Sequence, residues 1–133
     1  MKCVSIRQPW ASAILAGLID VEYRCYPTEH RGDLLIHASS ETTDWDRQQF
    51  VLFDRRGLRW DELAFGKVIG VVELWTCGHG HNGEWAWCLR NPRRVEPFAI
   101  EPGRRLFDVE NRPVEVLAPA RRTIGKVRQP AVR

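Results

Sequence analysis

Residues 5–39 read SIRQPWASAILAGLIDVEYRCYPTEHRGDLLIHAS, and this stretch decides the fold. It follows a strand predicted from Lys2 to Ile6. Pro9 suits the first position of a helix, because its missing N–H costs nothing there. The good helix formers of Ala11–Ala16 continue that helix, and Gly17 is placed to end it. We therefore expect a short, largely apolar helix buried along most of its surface.

Two further strands are predicted in the same stretch. Residues 21–26 alternate, so that Glu22, Arg24 and Tyr26 share one face of their strand. Pro27 closes this strand, and a turn over 28–33 leads to an apolar strand over 34–38. Polar residues that could contact a ligand thus recur at the ends of these elements.

Most of the remaining chain has the pattern of strands. Thr42–Arg56 predicts an amphipathic helix that Thr43 or Asp44 can cap. A Gly- and His-rich loop is expected over 77–83 and a turn at Asn91-Pro92. The predicted strands are 67–75, 85–90, 93–100 and 104–109, and tryptophans 75, 85 and 87 are expected to fill a core. Because strands mostly follow strands, the fold class is mainly β (α+β): a small, mainly antiparallel sheet of about six strands curled into a barrel, with two or three flanking helices.

Length and charge suggest one domain with a tail. The 133 residues suit a single domain, placed at 1–118. The last 13 residues hold five basic groups and no acid, which leaves 15 basic and 17 acidic residues in 1–120. Residues 119–133 are therefore expected to form a weakly ordered basic tail that could bind a polyanion.

The compartment and cofactors are inferred from what the sequence lacks. No apolar run is long enough to span a bilayer, and Arg7 and Pro9 interrupt any signal-like segment, so we expect a cytoplasmic protein with no membrane partner. Cys77, His79 and His81 alternate on one loop, a spacing that rarely closes a tetrahedral zinc site. We predict no metal and no cofactor. The sequence leaves the oligomeric state open.

Several motifs in order resemble the ASCH (activating signal cointegrator homology) domain family. They are the SxxQPWAxxxxxG opening, the VExR strand, the Arg31-Gly32 turn, the LLIHAS strand, the WxLxNPRRVEPF stretch and the RRLFDV strand, which together cover about residues 3–110. The resemblance implies a PUA-like β-barrel with a cleft between the first helix and the sheet. It also implies RNA binding, transcriptional coactivation or, in bacterial relatives, ribonuclease or acetylcytidine amidohydrolase activity.

One position departs from the family pattern. The family usually has GxKxxExR, whereas here Ile19 occupies the position of the lysine, which the resemblance implies to be catalytic in the amidohydrolases. The threonine beside that lysine matches Glu22 here. Isoleucine neither transfers a proton nor holds an anion, so the sequence favours a binding domain over an enzyme.

The candidate ligand-binding residues are weighed against structural roles. Ser5 and Gln8 could help the helix N-terminus to hold a phosphate, or could simply cap that helix. Glu22 and Arg24 could contact a base edge and a phosphate, or form a surface ion pair. With the resemblance, binding is favoured in both cases. Trp10 could stack on a base, and Arg31 could meet phosphate at the mouth of the cleft.

Glu73 interrupts the apolar VIGVVELW strand. It could act as a general acid or base facing the cleft, pair with an arginine, or point to solvent. Glu22 and Glu73 are thus the catalytic candidates if the chain is a hydrolase.

The sequence therefore predicts RNA, another nucleic acid or a nucleotide-like ligand as partner, bound by Ser5, Gln8, Trp10, Glu22, Arg24 and Arg31. The alternatives are a hydrolase acting on RNA or a modified nucleoside, and a protein–protein adaptor.

Overall fold

The computed structural model describes residues 1–119, so the predicted tail, apart from Pro119, lies outside the described residues. The strands are β1 (Lys2–Ile6), β2 (Val21–Arg24), β3 (Gly32–Ala38), β4 (Lys67–His79), β5 (Trp85–Ala99) and β6 (Leu106–Asp108). The helices are α1 (Trp10–Leu15) and α2 (Asp44–Gln49), and 3₁₀ turns span Phe50–Leu52 and Trp60–Glu62.

The six strands form one sheet in the order β2-β5-β4-β3-β1-β6. Every neighbouring pair is antiparallel except β1 and β3, which are parallel and are joined through α1 and β2. The sheet curls into a half-barrel with two helices, which confirms the predicted mainly β fold.

The two faces of the sheet each carry an apolar cluster. The larger cluster packs α1 against one face and includes Trp10, Ile14, Leu34 and Trp87. The smaller cluster includes Cys3, which neighbours Val4 of the larger cluster and points to the opposite face because side chains alternate along a strand. Within 1–119 no helix is long and apolar enough to span a membrane.

Helix α1 is largely buried and packs closely against β4. Its side chains are buried except Ser12, as the apolar sequence predicts, and Gly17 follows with a φ of +76°. Leu15 packs over Gly70 of β4, where any Cβ would collide with the Leu15 methyl groups.

A buried carboxylate joins α1 and α2 to Arg7, the residue that follows β1. Asp46 accepts hydrogen bonds from Arg7 Nε (2.6 Å), the Trp10 indole (2.9 Å) and the Thr43 backbone (3.1 Å). Thr43 caps α2, as predicted, and Asp46 completes a capping box. Burial alone would raise the pKa of Asp46, but the hydrogen bonds from Arg7, Trp10 and Thr43 outweigh that effect and hold the pKa below its ordinary value.

The predicted helix over 42–56 is wrong in length, because α2 ends at Gln49 and a 3₁₀ turn follows. Phe53 packs edge-on against Trp10 at 5.7 Å, and Phe50 packs against Trp60 at 5.5 Å. These tertiary contacts outweigh the modest helix propensity of the aromatic residues.

The predicted loop over 77–83 is also wrong, because β4 continues to His79 and meets β5 in a tight hairpin. Asn82 and Gly83 both have positive φ values, 54° and 77°, and the Glu84 amide donates to His81. This is the geometry of a type I′ turn, for which Asn-Gly is the preferred pair.

The Asn91-Pro92 turn was predicted to end a strand, but β5 runs through it. Arg90 pairs with Glu73 and Arg93 with Val71, so Asn91 and Pro92 bulge out of the ladder opposite Val72. A bulge absorbs Pro92, which has no N–H to donate.

Trp75 was predicted in the core, yet it is 47% exposed.

We predict that Gly70→Ala lowers the free energy of unfolding by about 1–3 kcal/mol, the usual cost of overpacking. The added methyl would meet Leu15 and would lie 2.8 Å from the Arg93 carbonyl oxygen. Gly78→Ala in the same strand is the control, because nothing lies within 4 Å of its Cβ position. Urea unfolding should separate the two variants, and equal stability would contradict the packing of Leu15 on Gly70.

We also predict that Asp46→Asn destabilises the fold by about 1–3 kcal/mol, since at least one donor among Arg7, Trp10 and Thr43 then loses its acceptor. Asp44→Asn is the control, because Asp44 lies in the same helix but is exposed. Urea unfolding at pH 7 measures both, and a loss no larger for Asp46 than for Asp44 would remove the anchoring role.

Candidate functional site

Arg24 connects two strands that are not neighbours in the sheet. Its Nη1 donates to the Ser5 carbonyl of β1 at 3.2 Å, although β2 and β1 are separated by three strands in the sheet order. Arg105, just before β6, lies over Tyr26, just after β2, with 4.7 Å from its Cζ to the ring centre. The contacts therefore join the two edges of the curled sheet. We call Ser5, Glu22, Arg24, Tyr26 and Arg105 the seam.

Glu22 forms a largely buried ion pair with Arg24. Its side chain is 1% exposed, lies opposite Trp87 of β5, and accepts a hydrogen bond from Arg24 Nη1 at 3.3 Å. The Arg24 side chain is 19% exposed. Burial by itself would lower the pKa of Arg24, but the Glu22 carboxylate and Tyr26 raise it above its ordinary value. Arg24 is thus a permanently charged group with a fixed orientation.

Tyr26 is the aromatic centre of the seam. Arg24 Nη2 donates to its hydroxyl at 3.1 Å, and Arg24 Cζ lies 5.4 Å from its ring centre. The ring packs edge-on against Trp87 at 5.4 Å, and the Trp87 indole donates to the Tyr26 carbonyl at 3.1 Å. Two guanidinium groups therefore accompany one partly exposed ring.

The carbonyl and the hydroxyl of Ser5 contact different partners. Its carbonyl binds Arg24, whereas its Oγ lies 2.8 Å from Nδ1 of His37 on the adjacent parallel strand β3. His37 is buried, and burial lowers its pKa below 6.5, an effect that the nearby Gly66 backbone only partly offsets.

The structure places Gln8 and Trp10 in the interior, apart from the seam. Gln8 is fully buried; its Nε2 donates to Ser12 Oγ (2.8 Å) and to the Ala64 carbonyl (2.9 Å), and its Oε1 accepts from the Ser12 amide. Trp10 is fully buried and stacks on Trp45 at 5.6 Å. Because no part of either side chain reaches the surface, both position other elements of the fold, as the capping alternative had it for Gln8.

Arg31 and Glu73 also lie in other settings. Arg31 is exposed, and its Nη1 donates to the carbonyls of Thr28 and His30 within its own turn. Glu73 forms an ion pair with Arg90, which in turn lies over Trp75 at 5.3 Å. Of the three alternatives for Glu73, the structure contains the pairing with an arginine.

Two hollows flank α1. The first, here called the helix-side hollow, measures about 300 Å³. It separates Ser12 and Leu15 of α1, and Ala16 at its C-terminal end, from Arg94, Val95 and Pro97 of β5. The second measures about 340 Å³ and is lined by Ile19, Trp75 and Leu89 among others. None of the six predicted binding residues lines either hollow. Ile19 itself is buried and apolar.

Sequence reasoning missed Tyr26 and Arg105. A signal existed for Tyr26, which shares a strand face with Glu22 and Arg24. Arg105 is far away in the chain and gave none. Within residues 1–119, no three His, Cys, Asp or Glu side chains converge as a metal site would require.

Comparison with known proteins agrees with this fold. A family model described as the ASCH domain matches residues 4–106. The chain is 33% identical over 81 residues to activating signal cointegrator 1 from Homo sapiens, and equally to that from Mus musculus. Each match covers 56% of this chain but only 14% of the cointegrator, so the chain spans about one seventh of those relatives.

Solved structures give the same result. A crystal structure of an ASCH protein from Zymomonas mobilis matches with a TM-score of 0.55 and 15% identity over 82% of this chain and 87% of the other. A point mutant of that protein matches with the same TM-score and 16% identity, covering 82% and 89%. At this identity the likeness concerns the fold alone.

We predict a pH dependence of stability that comes from His37. The unfolded chain takes up a proton near pH 6.5, which the buried imidazole resists, so His37 contributes stability above pH 6.5 that is lost as the pH falls through and below that value. Urea unfolding at pH 7.5 and 5.5 should reveal the loss. His37→Gln should reduce it, whereas His81→Gln, at an exposed position, should not. Identical pH dependence in both variants would contradict this assignment.

Proposed function

This chain belongs to the ASCH domain family, a PUA-like family associated with RNA binding, and we propose that it binds single-stranded RNA at the seam. The observation that carries the proposal is the pair of guanidinium groups on the Tyr26 ring, Arg24 at 5.4 Å and Arg105 at 4.7 Å. Proteins that bind single-stranded nucleic acids commonly combine cationic side chains with aromatic rings on which bases stack.

The two arginines take different parts. Arg24 is already bonded to Glu22, Ser5 and Tyr26, so it orients the ring and supplies charge close to it. Arg105 is exposed and follows another exposed arginine, Arg104. These two side chains provide the phosphate contacts, and Tyr26 provides the surface on which a base stacks.

The near-neutral charge of residues 1–120 limits attraction to RNA to the residues of the seam. Residues 1–120 hold 15 basic and 17 acidic groups, so the body as a whole does not attract a polyanion. The Glu22 carboxylate further neutralises Arg24. Affinity therefore depends on stacking and a few phosphate contacts, and we expect a modest salt dependence.

The hydrolase alternative has less support. Ile19 is buried and carries no titratable group, Glu22 is held in an ion pair by Arg24, and Glu73 is paired with Arg90. Both candidate carboxylates are thus engaged by arginine side chains.

We predict that Tyr26→Ala weakens binding of a labelled 12-nucleotide RNA by about 5- to 150-fold, the range that corresponds to one stacked base. Arg105→Gln should weaken binding and lower the slope of log affinity against log salt by about 0.7, since one phosphate contact is lost. Fluorescence anisotropy at 50 and 200 mM salt would measure both effects.

Arg47→Gln is the matched control, because Arg47 also lies over an aromatic ring, Trp60 at 4.5 Å, but on α2. It removes the same charge and the same kind of contact. Unchanged binding in Tyr26→Ala and Arg105→Gln, or an equal loss in Arg47→Gln, would refute the seam as the binding surface. Cleavage of the RNA or deacetylation of acetylcytidine that Glu22→Gln abolishes would establish the hydrolase instead.

A further inference from the structure

The helix-side hollow has the size and the apolar lining of a small-molecule binding site. Its volume of about 300 Å³ is at the lower end of the range for ligand pockets. Apolar side chains from several separate segments line it: Leu15, Leu58, Leu63, Ile69, Val95 and Leu117. The fold therefore keeps an apolar recess open between α1 and β5 where close packing is the rule.

One cation in this recess has no partner for its Nε. Arg94 lines the hollow, and its Nε is buried without a hydrogen-bond acceptor among residues 1–119; its Nη2 donates to the Ala118 carbonyl at 3.0 Å. The adjacent Arg93 instead pairs with Asp33 at 2.9 Å. A buried donor left unsatisfied destabilises the fold, and an anion bound against the Arg94 guanidinium would offset that cost.

The other polar groups of the hollow leave room for an anion. Among the described lining residues Glu62 is the one carboxylate; its side chain is 61% exposed and lies 3.2 Å from Arg59 Nε. Ser12 Oγ accepts a hydrogen bond from Gln8 Nε2, so its own hydrogen can be donated to a ligand. The recess thus offers a cation, a hydroxyl and an apolar body.

We propose that the helix-side hollow binds a small organic carboxylate with an apolar body, and that its carboxylate accepts hydrogen bonds from Arg94 and Ser12. Charge complementarity selects an anion, and the apolar walls select an aromatic or branched aliphatic group rather than an inorganic ion. This site is separate from the seam, because the two share no residue.

Ligand binding would also stabilise the last described segment of the chain. Val116 bridges to Val95, the Leu117 amide donates to the Arg94 carbonyl at 2.8 Å, and Leu117 lines the hollow. A ligand that contacts both Arg94 and Leu117 holds this segment on β5. Hydrogen exchange at the Leu117 amide should therefore slow when the hollow is filled.

The test titrates the full chain with phenylacetate, and with the neutral phenylacetamide as matched ligand, by calorimetry and by the shift in Tm. Phenylacetate should bind saturably and raise Tm, and phenylacetamide should bind at least tenfold more weakly. Arg94→Gln should weaken phenylacetate binding at least tenfold and Arg94→Lys less. Arg93→Gln, which removes the same charge one residue away, should leave it unchanged.

Ala16→Leu provides a second test that keeps Arg94, because the larger side chain fills the hollow from α1 and should abolish binding. The proposal is overturned by absence of saturable binding, by equal affinity for the amide, or by equal losses in Arg94→Gln and Arg93→Gln. It is also overturned if a tetrapeptide ending in leucine binds at least tenfold more tightly than phenylacetate, since the site would then recognise a peptide terminus.

Discussion

The placement of Arg24 is the constraint on which the seam depends. β2 and β6 are the outer strands of the sheet, and no backbone ladder joins them in residues 1–119. Arg24 instead reaches the Ser5 carbonyl on β1, and Arg105 reaches Tyr26. The guanidinium group can do this because Glu22 compensates its charge in a largely buried setting. Side chains thus complete the curl that the strands begin, and the same side chains create the cationic, aromatic surface.

A second buried charge positions the helical side of the molecule. Asp46 collects donors from Arg7, Trp10 and Thr43, and thereby ties α2 to the start of α1. Gln8 ties α1 to the Ala64 carbonyl in the same way. Leu63 and Ala64 belong to the wall of the helix-side hollow, so the hydrogen bond from Gln8 to the Ala64 carbonyl also helps to position that wall. Gln8 and Trp10, which the sequence suggested as ligand contacts, therefore connect secondary-structure elements.

The two proposed sites differ in how many of their residues could be recognised from the sequence. Glu22, Arg24 and Tyr26 lie within one alternating stretch of sequence, and that alternation predicted their common face, although β2 itself ends at Arg24. Arg105 is 79 positions from Tyr26, and only the curl of the sheet brings it there. The sequence could not distinguish the two alternatives for Gln8, because a helix N-terminus with polar neighbours has the same pattern whether the polar groups serve a ligand or the backbone. Arg94 had no distinguishing signal, because whether its Nε finds an acceptor depends on residues that are distant in the chain.

By itself, the sequence determined β1, a short buried helix that ends before Gly17, the cap of α2, the family and the mainly β architecture; Pro9, expected as the first helical residue, is instead the N-cap of α1. Each of these follows from local chemistry: Pro and Gly at helix ends, a threonine three residues before an acid, alternation along strands, and motifs in a fixed order. Tertiary structure alone decided that β5 continues through Pro92, that residues 42–56 break after one short helix, and which edges of the sheet meet. Those outcomes depend on pairing register, on aromatic contacts and on buried charge compensation between residues far apart in the chain, which no local pattern encodes.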